Sequence, residues 1–183
     1  LCTASPIGSM ISPEATQAAK QAADFLAAAG HEIIEIPYPV DGAALIRSYY
    51  QMNGAETTAM MNSIQQGLGR PIRKEEIEPF SWTMHQFGQK IPAATYVHSL
   101  QLWDQAAVTM EELFQKFDLF LSPTTAFSAP KINEDLQSEH IRQRMEQAAE
   151  LTEAELAELI YDYFDKSLQL TPYTQLANLT GQP

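Results

Sequence analysis

Seven apolar side chains, Tyr96, Leu100, Trp103, Ala107, Met110, Phe114 and Phe117, recur at alternating steps of four and three residues. That spacing holds them on one face of a helix of about six turns, and a stripe so long has to be covered by other elements. It reads as core packing rather than a cofactor box. The chain then changes period: Leu119-Phe120-Leu121-Ser122 is apolar on both pleat faces up to its last residue, which predicts a short strand buried between helices. Pro123 has no N–H to give a ladder, so the Thr-rich segment up to Pro130 is predicted to leave the sheet as a loop. Ligands of open α/β sheets bind where strands end, which makes Ser122 to Ala129 the first candidate site.

Upstream of the stripe, Ser5-Pro6-Ile7-Gly8 predicts a turn. Ser12, Pro13 and Glu14 then supply an N-cap, a preset first helical residue and a charge suited to the positive end of the dipole. The helix they open is predicted to stop at Gly30, with Ala15, Ala18, Ala19, Ala22, Leu26 and Ala29 inward. His31 to Ile36 is rich in β-branched residues and ends at Pro37, the mark of a strand near an edge. From Asp41, an N-cap, a second helix carries Leu45, Ile46, Tyr49, Tyr50, Met60, Met61 and Ile64 to the Gly67-Leu68-Gly69-Arg70-Pro71 break, with a bend marked by Gly54. Lys74 to Ile77 begins a further helical stretch, in which Pro79 lies in the first turn and Phe80, Met84 and Phe87 share a side before Gly88. Thr152-Glu153-Ala154-Glu155 is a capping box, and Leu156, Leu159, Ile160, Tyr163, Phe164 and Leu168 form the buried side of its helix. The segment from Thr171 to Pro183 reads as a polar loop. The fold class predicted is α/β: a single, helix-rich domain over residues 1–183 with a mixed sheet of few strands flanked by helices.

Composition narrows the function. A net charge of -12 opposes the counterion release that drives binding to a phosphate backbone, so nucleic acid is not expected as a partner. No apolar run approaches the roughly 20 residues of a membrane helix. With one cysteine, Cys2, and no leader of the secretory kind, the chain reads as cytoplasmic, and Cys2 as a buried inert thiol. Ten carboxylates against Arg142 and Arg144 between Glu134 and Asp165 read as a solvated face. His31, His85, His98 and His140 show no paired spacing, so no metal is expected, and His85 and His98 read as capped or solvated within helices. Gly67-Leu68-Gly69 follows a helix and lacks a third glycine, so it terminates a helix rather than binding phosphate, and no cofactor is expected. No Gly-x-Ser-x-Gly elbow occurs.

Two phrases together carry a family resemblance. Phe117-Asp118-Leu119-Phe120-Leu121-Ser122-Pro123-Thr124-Thr125 with Ala129-Pro130, followed later by Ala177-Asn178-Leu179-Thr180-Gly181-Gln182-Pro183, resemble the later half of the amidase signature family. Ser5-Pro6-Ile7-Gly8, Ser12-Pro13-Glu14-Ala15, Ala29-Gly30-His31-Glu32 and Ile77-Glu78-Pro79 stand in the family's order. Thr174 to Pro183 is especially similar to its branch of 6-aminohexanoate-cyclic-dimer hydrolases. The resemblance implies hydrolysis of a small-molecule amide by a serine nucleophile, a second serine in a cis peptide and a lysine. Such a lysine accepts a proton only if desolvation holds it neutral. No Gly-Ser-Gly-rich loop of that kind occurs here, so no catalytic residue is transferred. Both ends read as cut, with the catalytic part expected upstream of Leu1. What the resemblance transfers is a substrate-binding neighbourhood of Thr124, Thr125, Asn178, Thr180 and Gly181. Alternatively, Asn178 and Thr180 satisfy backbone groups in a tight turn. Two other functions stay open: an autonomous acidic helical binding module without catalysis, and an amidotransferase A-type subunit, which the acidic surface disfavours. Apolar surface left uncovered would be exposed or buried in a homodimer.

Overall fold

The computed structural model describes residues 1–181, so the last two residues of the Asn-x-Thr-Gly-x-Pro phrase, Gln182 and Pro183, lie outside the described residues. In chain order the helices are α1 (Pro13–Ala28), α2 (Gly42–Leu68), α3 (Pro79–Gly88), α4 (Ala93–Phe114), α5 (Glu139–Glu146), α6 (Glu153–Leu170) and α7 (Gln175–Thr180). Single 3-10 turns occur at Lys74–Glu76 and Ala148–Glu150. The described residues form two compact units: residues 1–45, 102–134 and 167 onward, and residues 46–101 with 135–166.

The mixed sheet expected from the sequence is not formed: among the described residues there is no strand. Where strands were expected, residues 31–36 and 119–122 belong to no regular element and are almost unpaired. The Leu1 nitrogen donates to the Ile34 carbonyl (2.8 Å), Ile36 N–H donates to the Leu1 carbonyl (2.9 Å), and Cys2 N–H donates to the Leu121 carbonyl (2.8 Å). The cause is local. Pro123 removes the donor that would return a bond to Cys2, and three isolated bonds do not make a ladder. Nor is 119–122 buried, since Leu119 is 74% exposed.

In the first unit, Ser12 caps α1 through its hydroxyl, which accepts from Ala15 N–H (3.1 Å), and Gly30 leaves the helix at φ 98°, a conformation that favours glycine. The Ser5 hydroxyl accepts from the N–H groups of Ile7 and Ser9, closing the expected turn. The core is built from Leu45, Ala106, Met110 and Leu176, with Tyr38, Val40, Trp103, Leu113, Phe120 and Leu179 packed against it. The α4 stripe is therefore rotated by one position from its expected flank. Trp103 and Met110 lie on it as predicted, but Ala106 and Leu113 complete it while Leu100 and Phe114 are each 38% exposed. The final segment is not all loop: after a turn at 171–174 it forms α7, whose Thr180 hydroxyl donates to the Leu176 carbonyl (2.7 Å).

In the second unit, residues 46–68 of α2 and helix α3 approach closely at two glycines. A side chain on Gly88 would sit 1.8 Å from the Gly54 carbonyl oxygen, and one on Gly54 2.7 Å from the Phe87 ring. Gly54 is thus a packing notch in an unbroken helix, not the expected bend. Thr58 Oγ1 donates to the His85 carbonyl (2.9 Å) across the same contact. The expected helix from Lys74 is split, because Ile77 and Glu78 are extended ahead of Pro79, which opens α3 at its first residue. Helix α3 packs on α5 and on the 148–150 turn, where the Lys90 ammonium donates to the carbonyls of Ala149 and Leu151. The capping box on α6 forms as expected, Thr152 N–H and Oγ1 both donating to Glu155 Oε2 (2.8 and 2.7 Å). It presents buried Leu156, Leu159 and Ile160, and its Phe164 ring stacks on Tyr50 at 5.1 Å.

Candidate functional site

The loop after Pro123 is held at one residue. Ala126, fully buried, donates its N–H to the Leu170 carbonyl (2.8 Å) and accepts at its own carbonyl from Ser12 N–H (2.9 Å). With Pro123 also buried, the backbone is fixed on both sides of Thr124 and Thr125, which remain exposed. They line an open groove of about 500 Å³ against one face of α1. Ala15, Ala18 and Ala22 make its helical wall, Ser122, Thr124, Thr125 and Ser128 supply hydroxyls, and Glu14 stands among them. Alanine keeps that wall shallow, so the groove is a consequence of the small-residue pattern of α1. The expectation placed Ala18 and Ala22 inward, but both are exposed and only Ala19 and Ala23 of α1 are buried.

Hydroxyls donate and accept, and an amide offers one N–H and one carbonyl, so this rim is able to orient an amide. Attack on one is a different matter. A serine hydroxyl becomes nucleophilic only beside a base, and no histidine or lysine is among the lining residues described. Glu14 forms no hydrogen bond to those hydroxyls among the described residues.

The other three candidate residues are elsewhere in the same unit and do not line this groove. Asn178 Nδ2 donates to the Thr174 carbonyl (3.0 Å) and Thr180 Oγ1 to Leu176, each four residues back on α7 or its cap, while Gly181 ends the helix in the left-handed region at φ 76°. Those side-chain bonds satisfy backbone groups, the alternative raised by the sequence. Cys2 is wholly buried, and burial raises its thiol pKa, so it is not poised as a nucleophile. Tyr173, whose hydroxyl donates to the Thr3 carbonyl (3.1 Å), is pushed up to about 12 by the same cause. Contrary to the solvated reading, His85 is 4% exposed. Among the described residues no group of three or more His, Cys, Asp or Glu is placed to hold a metal, and no helix is long and apolar enough to cross a membrane.

This helical framework is found in solved hydrolases. Two structures of 6-aminohexanoate cyclic dimer hydrolase, one complexed with substrate, align with 91% of this chain and 35% of theirs, at a TM-score of 0.63 and 21% identity. The Amidase family model matches residues 3–182, and the chain belongs to that family. It is 36% identical over 185 residues to a lipoamidase of Enterococcus faecalis, covering 99% of this chain and 25% of the relative. It is 23% identical to the 6-aminohexanoate-cyclic-dimer hydrolase of Paenarthrobacter ureafaciens, covering 99% of this chain and 35% of the relative. The chain thus spans between a quarter and about a third of the length of these curated relatives.

Proposed function

We propose that this chain is the part of an amide hydrolase that shapes the substrate pocket, and that the serine–serine–lysine chemistry of the family is supplied by residues outside these 183. The observation that carries the reading is the family match across 3–182, in a chain whose hydroxyl-lined groove shows no base hydrogen-bonded to a hydroxyl among the described residues. Both named relatives act, by their names, on amides of aliphatic acids, which makes a small aliphatic amide the substrate class. Thr124 and Thr125 orient the amide from the loop fixed at Ala126. Asn178, Thr180 and Gly181, which do not line this groove, are assigned a supporting role only, through the carboxyl-terminal turn their bonds hold together.

Two measurements test this. The isolated chain, assayed against linear and cyclic aliphatic amides including the 6-aminohexanoate cyclic dimer, is expected to show no turnover. Turnover abolished by a single substitution within it would place the catalytic centre here and overturn the proposal. In an active polypeptide containing this sequence, replacing both Thr124 and Thr125 by valine should raise KM about tenfold, the cost of roughly one hydrogen bond to substrate. An unchanged KM would remove these two residues from the pocket.

A further inference from the structure

In the second unit α2, α3 and α6 enclose a pocket of about 170 Å³ that the proposed function leaves unused. That is the size of one small ring, since a cavity of about 150 Å³ is enough for benzene. Its aromatic walls are braced. The Phe164 ring stacks on Tyr50 at 5.1 Å, while Phe80 stacks on Tyr163 at 4.3 Å and meets Phe164 edge-on at 5.2 Å. A flat ligand ring is held by the same stacked and edge-to-face contacts. Met84 is 5% exposed and Met60 53%, which sets one thioether at the floor and the other at the mouth, and both adapt readily to a ring. No carboxylate, ammonium, guanidinium or imidazole is among the lining residues described, although the chain carries a net charge of -12. An ion entering would lose hydration with no counter-charge to offset the loss.

Hydrogen-bonding groups stand in the same walls without protein partners. The hydroxyls of Tyr50, Thr57 and Ser81 enter no hydrogen bond among the described residues. Asn53 spends its Nδ2 on the Tyr49 carbonyl (3.1 Å), which leaves its Oδ1 unbonded among them. Tyr50 matters most, because it is 5% exposed, and a buried polar group that finds no protein partner is met by water or a ligand. Its hydroxyl is not sealed: the sealed, unpartnered side-chain atom among the described residues is His85 Nδ1. The open space beside Tyr50 is this pocket. Burial raises the Tyr50 pKa, so the hydroxyl stays protonated and able to donate. We infer that the pocket binds an uncharged aromatic compound, one six-membered ring with a single amide or hydroxyl group, the ring packed among Phe80, Phe164 and the two methionines and the polar group bonded to the lining hydroxyls. The inference stands on the second unit alone and not on amide hydrolysis, so either can fail without the other.

The test labels the methyl groups of the seven methionines with carbon-13 and follows them by NMR while the protein is titrated with benzamide. The Met60 and Met84 signals are expected to shift together and saturably, while Met10 and Met110 of the first unit and Met145 of the second stay in place. Benzoate and benzylammonium, the charged analogues, should bind more weakly by about tenfold or more. Cyclohexanecarboxamide, as bulky but without π faces, should bind about threefold more weakly. Tyr50→Phe keeps the ring stack and removes the hydroxyl, so benzamide affinity should fall about fivefold. No saturable shift at Met60 and Met84 in the unaltered chain, or equal affinity for benzamide and benzoate, would overturn the inference. So would shifts spread over all the methionines, cyclohexanecarboxamide binding as tightly as benzamide, or unchanged affinity in Tyr50→Phe.

Discussion

His85 shows how one residue type changes meaning with its surroundings. Its Nε2 lies 2.7 Å from the Gln89 side-chain nitrogen, a donor, so Nε2 accepts and the neutral ring carries its proton on Nδ1. That Nδ1 is buried without a hydrogen-bond partner among the described residues, with the Trp82 ring 6.0 Å away. A positive charge on the ring has nothing to compensate it, and burial accordingly lowers the pKa below its ordinary 6.5. The unfolded chain then binds a proton that the folded chain refuses in the window between the lowered value and 6.5. The stability contribution is complete above about pH 6.5 and is lost as pH falls below it. The urea midpoint of the second unit should decline from pH 7.5 to 5.5, before carboxylates titrate, and His85→Phe should flatten that decline. An equal decline in both proteins would assign the effect to other groups. Sequence alone offered no sign of this burial. His85 sits on a helix whose apolar pattern is carried by Phe80, Met84 and Phe87, and its burial comes from the elements packed on that helix, α2, α5 and the 148–150 turn.

At the scale of elements, the approach of α2 to α3 is set by the absence of two side chains. A methyl group on Gly88 would meet the Thr58 hydroxyl and the Gly54 carbonyl, the latter backbone of a regular helix, whereas Gly67, also within α2, has nothing within 4 Å of the same addition. Gly88→Ala should therefore cost about 3 kcal/mol or more through overpacking and loss of the Thr58–His85 contact. Gly67→Ala should stabilise by about 0.5–1 kcal/mol, because an open helical site gains only the backbone-entropy advantage of alanine. Chemical denaturation of both variants checks the pair, and equal effects would contradict the notch. Helix beginnings were legible because capping is local: Ser12, Asp41 and Thr152 each accept the backbone N–H expected of an N-cap. The flank of α4 was not. Both Leu100, Ala107, Phe114 and Ser99, Ala106, Leu113 fit beside the central Trp103 and Met110, and the choice belongs to the partner surfaces. The sheet was misread for a related reason. Apolar runs at 31–36 and 119–122 state that a segment is able to pair, but pairing needs a neighbour with free donors, and Pro123 withholds one. The groove was half legible: its Thr124 and Thr125 rim stood out, while the alanine wall facing it looked like core.

For the molecule as a whole, the charge of -12 is distributed differently from what the acidic stretch after Glu134 suggests. In the second unit those carboxylates meet cations brought from elsewhere in that unit, Arg47 on Glu158 (2.9 Å) and Lys74 on Glu146 (3.3 Å), beside Arg142 on Asp135 (2.7 Å) and Arg70 on Glu76 (2.9 Å). The Arg70 pair and the Arg73 N–H hold the Glu76 carboxyl down at about 2, although the group is exposed. The first unit contains ten carboxylates and three lysines, Lys20, Lys116 and Lys131, and no salt bridge among its described residues. Uncompensated repulsion is therefore concentrated there, on helices α1 and α4 whose carboxylates face water. Raising sodium chloride from roughly 0.02 to 0.3 M shortens the screening length from about 20 Å to about 6 Å, which weakens repulsion among dispersed charges more than attraction within contact pairs. Surface pairs are worth at most about 1 kcal/mol each and lose part of that in salt. The two units should consequently respond with opposite sign. Amide exchange in Pro13–Ala28 should slow with added salt, while exchange in the first turns of α6, near Glu158, should stay constant or quicken slightly. A uniform response along the chain would mean that the repulsion is shared by both units, and the charge count of the first unit would lose its physical significance.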